Sequence, residues 1–224
     1  MQAEPARWAE RVGDEAPVTG YRIILPDQWA QAPLRQGTEE AVRRILDDAC
    51  ARIPADTPPD KIGPYKRELE RRFREAVGQA VQSGALDLYL PVKPMGDCSI
   101  GASILVSESL LPRRQGQPQS EGEPTEAAVR LLSRDGVEGA DLSAGEVDGA
   151  LAVRREHVAK ADSPQGAVLA SRRVEYMISV PGDPDRWFVA AFSTVGGGSP
   201  RDELADVLVE WFDALMANFR WRRG

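Results

Sequence analysis

The chain has 224 residues, 42% of them hydrophobic and 28% charged, enough for one domain with a full core. A net charge of −7 argues against a general nucleic-acid binder, which needs a cationic face to displace counterions from phosphates. No apolar run approaches the ~18 residues of a bilayer span, and the opening M-Q-A-E-P-A-R-W-A-E lacks the apolar stretch of a signal peptide. The expectation is a cytoplasmic chain that does not insert into membranes, with Cys50 and Cys98 as free thiols.

Residues 1–20 are polar and interrupted by Pro5, Gly13, Pro17 and Gly20. They read as a flexible arm in which Trp8 is positioned to tack onto the domain or onto a partner. Residues 21–224 read as a single domain. Y-R-I-I-L-P at 21–26 predicts a short strand from its β-branched pair and closing proline. A helix follows from Thr38, as its cap, to about Arg52, with Val42, Ile45, Leu46, Ala49 and Ile53 as its buried stripe. Pro54, Pro58 and Pro59 break it. A second helix is predicted over 64–83, with Tyr65, Leu69, Phe73, Ala76, Val77 and Ala80 inward and Gly84 as its stop. Its outer face holds a basic cluster, Arg71, Arg72 and Arg74, and a Glu70–Arg74 pair at helical spacing.

Leu86, Leu88 and Leu90 alternate with Asp87 and Tyr89, the pattern of a half-buried strand. C-S-I-G-A-S-I-L-V-S at 98–107 is a second strand, where Gly101 and Ser103 suggest a closely packed helix. A low-hydrophobicity segment near 112–124 reads as a mobile loop, Thr125 as the cap of a short helix over 126–133, and 136–149 as a turn-rich stretch. Three strands follow. Residues 150–158 read as an arginine-flanked edge, and 167–180 pairs antiparallel with 186–195 across P-G-D-P-D as the central hairpin. A closing helix is predicted with Ser199 as cap, Pro200 first, and Leu204, Leu208, Phe212, Leu215 and Phe219 on one stripe beside Val207, Trp211 and Met216. Arg220, Arg222 and Arg223 sit at its carboxyl end. Strands joined mostly by hairpins and loops indicate an α+β fold with an antiparallel sheet covered by helices.

Three segments carry a family resemblance: Y-R-I-I-L-P-D-Q-W, the hairpin V-E-Y-M-I-S-V-P-G-D-P-D-R-W-F-V-A-A-F-S-T, and the closing W-F-D-A-L-M-A-N-F-R-W. In this order they resemble the PsbP-like superfamily, which includes the photosystem extrinsic subunit, the Ran-binding import factor, LpqN-type lipoproteins and the Eag-type chaperones of secretion effectors. The resemblance implies an α/β/α sandwich around a mainly antiparallel sheet and a binding protein rather than an enzyme. It spans residues 21–221, and its motifs are structural.

The remaining candidates weigh the same way. His157 is the single histidine, so no histidine triad or histidine-rich metal site can form. Cys98 reads as a strand thiol. The glycine run Gly196–Gly198 and Ser199 lack the lysine of a phosphate loop and read as a capping turn. Asp135, Glu138, Asp141, Glu146 and Asp148 lack calcium-loop spacing and read as a solvated loop. Trp29, Trp187, Trp211 and Trp221 fall where a core would use them. No catalytic, metal or cofactor residue is assigned. The expected function is a protein-binding adaptor or chaperone for a secretion client, binding through the sheet face or an apolar groove beside it, with Trp8, Tyr89, Tyr176 and Met177 as partner-binding candidates. The competing classes are a small-ligand or hydrolytic protein with a pocket beside the sheet, and a structural component of a larger assembly.

Overall fold

The structure is a computed structural model that describes residues 16–54, 56–94, 100–110, 139–161 and 169–224. In chain order the strands are β1 (Val18–Arg22), β2 (Trp29–Pro33), β3 (Asp87–Pro91), β4 (Ala102–Leu110), β5 (Asp141–Val147), β6 (Ala150–Ala159), β7 (Ser171–Val180), β8 (Asp183–Thr194) and β9 (Arg220–Arg223). The helices are α1 (Thr38–Cys50), α2 (Pro59–Gln82) and α3 (Glu203–Ala217). The fold is therefore mixed α and β, built on sheet. A seven-stranded antiparallel sheet runs in the order β2-β3-β4-β8-β7-β6-β5, and β1 pairs with β9 as a separate two-stranded ribbon.

The β7–β8 hairpin lies at the centre, as its alternation predicts. Val174, Ile178, Phe188, Ala190 and Phe192 point to one face, where Leu208, Phe212, Leu215, Met216 and Phe219 meet them. The turn is tighter than P-G-D-P-D implies: Gly182 takes a positive φ of 80°, and β8 starts at Asp183 with an irregularity between Ser179 and Val180. On the opposite face, α1 and α2 pack Val42, Ile45, Phe73, Val77 and Ala80 over Ala32 and Leu88. Leu88 and its neighbour Tyr89 are both buried. β3 is thus covered on both faces rather than half-buried.

Several boundaries differ from the sequence reading, each for a local reason. The cap of α3 is Asp202, not Ser199. Its carboxylate accepts N–H bonds from Gly197 (2.8 Å), Ser199 (3.2 Å) and Ala205 (2.8 Å), satisfying the turn and the helix start together. Those bonds, first that from Ala205, lower the Asp202 pKa. Gly196 is required there: its φ is +59°, and a Cβ would come within 2.3 Å of the Asp202 carboxylate. Val207 is 54% exposed and so lies off the buried stripe. The helix ends at Ala217, and Arg220–Arg223 are strand rather than helix. Trp221 turns inward from β9 against Phe188 and Phe219, at centroid distances of 5.7 and 4.9 Å. That burial outweighs another helical turn.

β1 lies earlier than predicted, at 18–22, because Tyr21 pairs with Trp221 across the ribbon. At α1 the cap is Gly37, in the left-handed region, with no side-chain capping bond. α2 begins at Pro59, a residue suited to a first helical position, and carries Pro64 inside its amino-terminal turns. Tyr65 is exposed rather than inward. Gly101 approaches Val195 after β8, not a helix. Residues 141–147 form a strand where turns were expected, so 150–159 is an interior strand rather than an edge. The loop near 112–124 and the helix over 126–133 lie outside the described residues.

Candidate functional site

Tyr89 and Tyr176 each hold a polar network on the α3 side of the sheet. The Tyr21 hydroxyl donates to Asp87 and lies 3.0 Å from the Tyr89 hydroxyl, while Gln31 donates to the other Asp87 oxygen at 2.6 Å. Burial raises the Tyr21 pKa and pushes Tyr89 up to about 12, so both phenols are protonated at neutral pH. This cluster ties the ribbon to β2 and β3.

The second network docks α3. Arg154 donates to both oxygens of Asp213 at 2.9 Å, and the Tyr176 hydroxyl donates to Asp213 at 2.9 Å. Arg154 also donates to Glu156 at 2.6 Å, Glu156 accepts from Arg172, and Arg172 reaches Asp206 at 2.6 Å. Desolvation pulls against both charges, but the hydrogen bonds prevail: Arg154 is held above its ordinary pKa and Glu156 below its own. Burial raises Tyr176 in turn, aided by its bond to Asp213. Asp213 and Asp206 escaped the sequence reading because their partners lie 59 and 34 residues away along the chain.

Met177 is on the other face, 1% exposed, packed with Val153 and Trp187. Nearby Arg155 and Glu175 form an ion pair at 2.5 Å. Trp8 lies outside the described residues. The structure therefore does not bring Tyr89, Tyr176 and Met177 together: two serve separate packing networks and one sits in a core on the opposite face. His157 is buried on β6, Cys50 is half-buried on α1, and Cys98 lies outside the described residues. No group of three or more potential metal ligands occurs among the described residues.

A concavity with room for a ligand lies between α1 and α2, a cleft of about 630 Å³. Glu39, Glu40, Arg43, Asp47, Lys66, Glu70 and Arg74 line it, with Leu46 and Cys50. Arg74 bridges the helices, donating to Glu39 at 2.8 Å and Glu70 at 3.0 Å. The bond to Glu39, then that to Glu70, raises the Arg74 pKa and keeps it cationic. The basic cluster on α2 is not a free cationic patch. Arg71 and Arg72 donate to Glu68, at 2.9 and 2.6 Å, and Arg71 also donates to Glu75 at 2.9 Å. Those guanidinium bonds lower the Glu68 pKa to about 2. The cleft thus offers both signs of charge beside Leu46 and Cys50, and it can hold a polar or amphipathic segment.

No family model and no curated protein matches the chain. Among solved structures it is similar to PA94, a Pseudomonas aeruginosa protein of unknown function, with 18% identity and a TM-score of 0.36. That likeness covers 62% of this chain and 92% of that one. No helix among the described residues is long and apolar enough to cross a membrane.

Proposed function

We propose that the protein is a non-enzymatic, cytoplasmic adaptor or chaperone that binds a partner protein through the cleft between α1 and α2. The reading takes the chain as a PsbP-like α/β/α sandwich, nearest in role to the Eag-type chaperones of secretion effectors. The observation that supports it is the make-up of the cleft: seven of its nine lining residues are charged, in both signs. Small-molecule sites are lined mostly by apolar and aromatic groups, whereas protein contacts commonly set charged rims around a small apolar centre. The small-ligand or hydrolytic reading is weaker on that ground. Leu46 and Cys50 provide the apolar centre, and the acidic and basic rims select a client helix with one apolar stripe and charged flanks. A wholly apolar client helix would desolvate those charges and offer them no hydrogen bonds in return.

The test is affinity purification from the native cell, with wild type beside a Glu40→Arg/Asp47→Arg double variant. Both positions are exposed, so the fold should survive. A partner enriched by wild type and lost with the variant supports the reading. Enrichment of no protein, or of the same protein by both, defeats it.

A further inference from the structure

The acidic stretch read as a solvated loop contains the outermost strand of the large sheet. β5 pairs with β6 in unbroken register from Asp141↔Glu156 to Val147↔Ala150, and no strand lies on its other side among the described residues. Every β5 residue except Val147 is exposed. The connecting turn, Asp148–Gly149, has φ values of 49° and 73°, the left-handed pair of a type I′ hairpin. Such a turn makes Val147 and Ala150 the closing hydrogen-bonded pair, and antiparallel bonding alternates from there. Asp141, Ser143, Gly145 and Val147 therefore turn their backbone groups toward β6. Leu142, Ala144 and Glu146 turn N–H and C=O outward, and among the described residues they make no further hydrogen bond.

Natural sheets blunt such edges with proline, charged side chains (lysine above all), bulges, short strands or a covering loop. The opposite edge, β2, has five residues and ends in Pro33, which has no N–H to offer. β5 has seven residues, no proline, lysine or bulge, and carries charge only as Asp141 and Glu146 near its ends.

We propose that the β5 edge takes an extended segment of a partner protein as an additional strand, one with basic residues at its two ends and bulky side chains between them. Charge favours that occupant. Asp141 and Glu146 lie near the two ends of β5, the strand carries no cation, and the nearest arginines, Arg154 and Arg155, are held by Asp213, Glu156 and Glu175. A second copy would set acid near acid between chains that each carry −7. Shape agrees. Ser143, Ala144 and Gly145 leave the middle of the strand open, and a Cβ at Gly145 would meet nothing within 4 Å. On the face opposite α3, exposed Ala144 lies in register beside the buried Val153 and Met177, and its methyl is what an incoming apolar side chain meets there. This is strand addition, with the backbone supplying affinity and alternate side chains the choice of partner. It does not depend on the α1–α2 cleft.

The test is amide hydrogen exchange by NMR on the full chain, with the peptide Lys-Val-Thr-Val-Thr-Val-Lys as probe. The Leu142, Ala144 and Glu146 amides should exchange rapidly in the free protein and slow at least ~tenfold with peptide, while Ser143 and Gly145 stay protected throughout. Ala144→Pro deletes one outward N–H and no bond to β6, so it should weaken peptide binding at least ~tenfold without unfolding the protein. If that variant loses its fold, a peptide N-methylated at alternate residues takes its place and must bind at least ~tenfold more weakly to wild type. An Asp141→Lys/Glu146→Lys variant should prefer a second peptide, Glu-Val-Thr-Val-Thr-Val-Glu, over the lysine-ended one. Protection of the three outward amides in the free protein would overturn the proposal: if independent of concentration, the chain itself covers the edge, and if dependent on it, a second copy does. So would failure of the peptide to bind at about 1 mM.

Discussion

Phe212→Ala tests how α3 meets the sheet. Phe212 is fully buried, stacked on Phe192 at a centroid distance of 4.9 Å and edge-on to Tyr176 at 5.8 Å. Its removal loses the transfer energy of the ring and leaves a cavity that a seven-stranded sheet cannot close up. Substitutions of this kind cost about 3–5 kcal/mol. At ~2–4 °C per kcal/mol for a chain of this size, the thermal midpoint should fall by roughly 6–20 °C. Val207→Ala, on the same helix but 54% exposed, should change stability by no more than ~0.5 kcal/mol. Urea unfolding followed by circular dichroism measures both, and an unchanged slope would show that the unfolded state is unaltered. A Phe212→Ala loss below ~1 kcal/mol, or equal losses for the two variants, would mean that α3 docks in a different phase.

Asp202→Ala should cost about 1–2 kcal/mol, because it removes the shared acceptor of the turn and the cap. Gly196→Ala should destabilise as well, through both its positive φ and the approach to Asp202, and a neutral result in thermal unfolding would refute this account of the turn. Glu156 has a lowered pKa in the fold, so its contribution is present above the unfolded value of about 4.3 and lost as pH falls through the lower folded value. Glu156→Gln should therefore flatten the acid limb of the stability profile, and an unchanged limb would mean that its bonds to Arg154 and Arg172 contribute nothing. Tyr21 and Tyr89 have raised pKa values, so their contribution is full below about 10 and lost above it. Absorbance at alkaline pH should show the two phenols ionising together with unfolding; ionisation in the intact fold near pH 10 would count against the buried cluster.

The central hairpin and the stripe of α3 were legible because each buries one face against a neighbour, and burial leaves a period in the sequence. Leu208, Phe212 and Leu215 carry that period clearly. β5 was not legible for the opposite reason: D-L-S-A-G-E-V is exposed on both faces, so no alternation is imposed. The local signal available was Asp148–Gly149, a dipeptide suited to a type I′ turn. β9 was hidden because helical periodicity runs on through Phe219, and its strand partner lies near the other end of the chain. The two tyrosines singled out as partner contacts were recognisable as ambiguous strand residues. What resolves them is Tyr21 for Tyr89 and Asp213 for Tyr176, partners that each tyrosine meets only through the tertiary fold. The α1–α2 cleft was partly legible in the Glu70–Arg74 spacing, but the Glu39 bridge that joins the helices was not.

Site-specific photocrosslinking in the native cell probes the adaptor reading at its contact surface. A photoreactive residue at Glu40, on the rim of the cleft, is compared with one at Glu210, on the exposed side of α3. Crosslinking of one protein from Glu40 but not from Glu210 is the expected result. Equal crosslinking from both positions, or none from Glu40, would contradict an adaptor that works through this cleft.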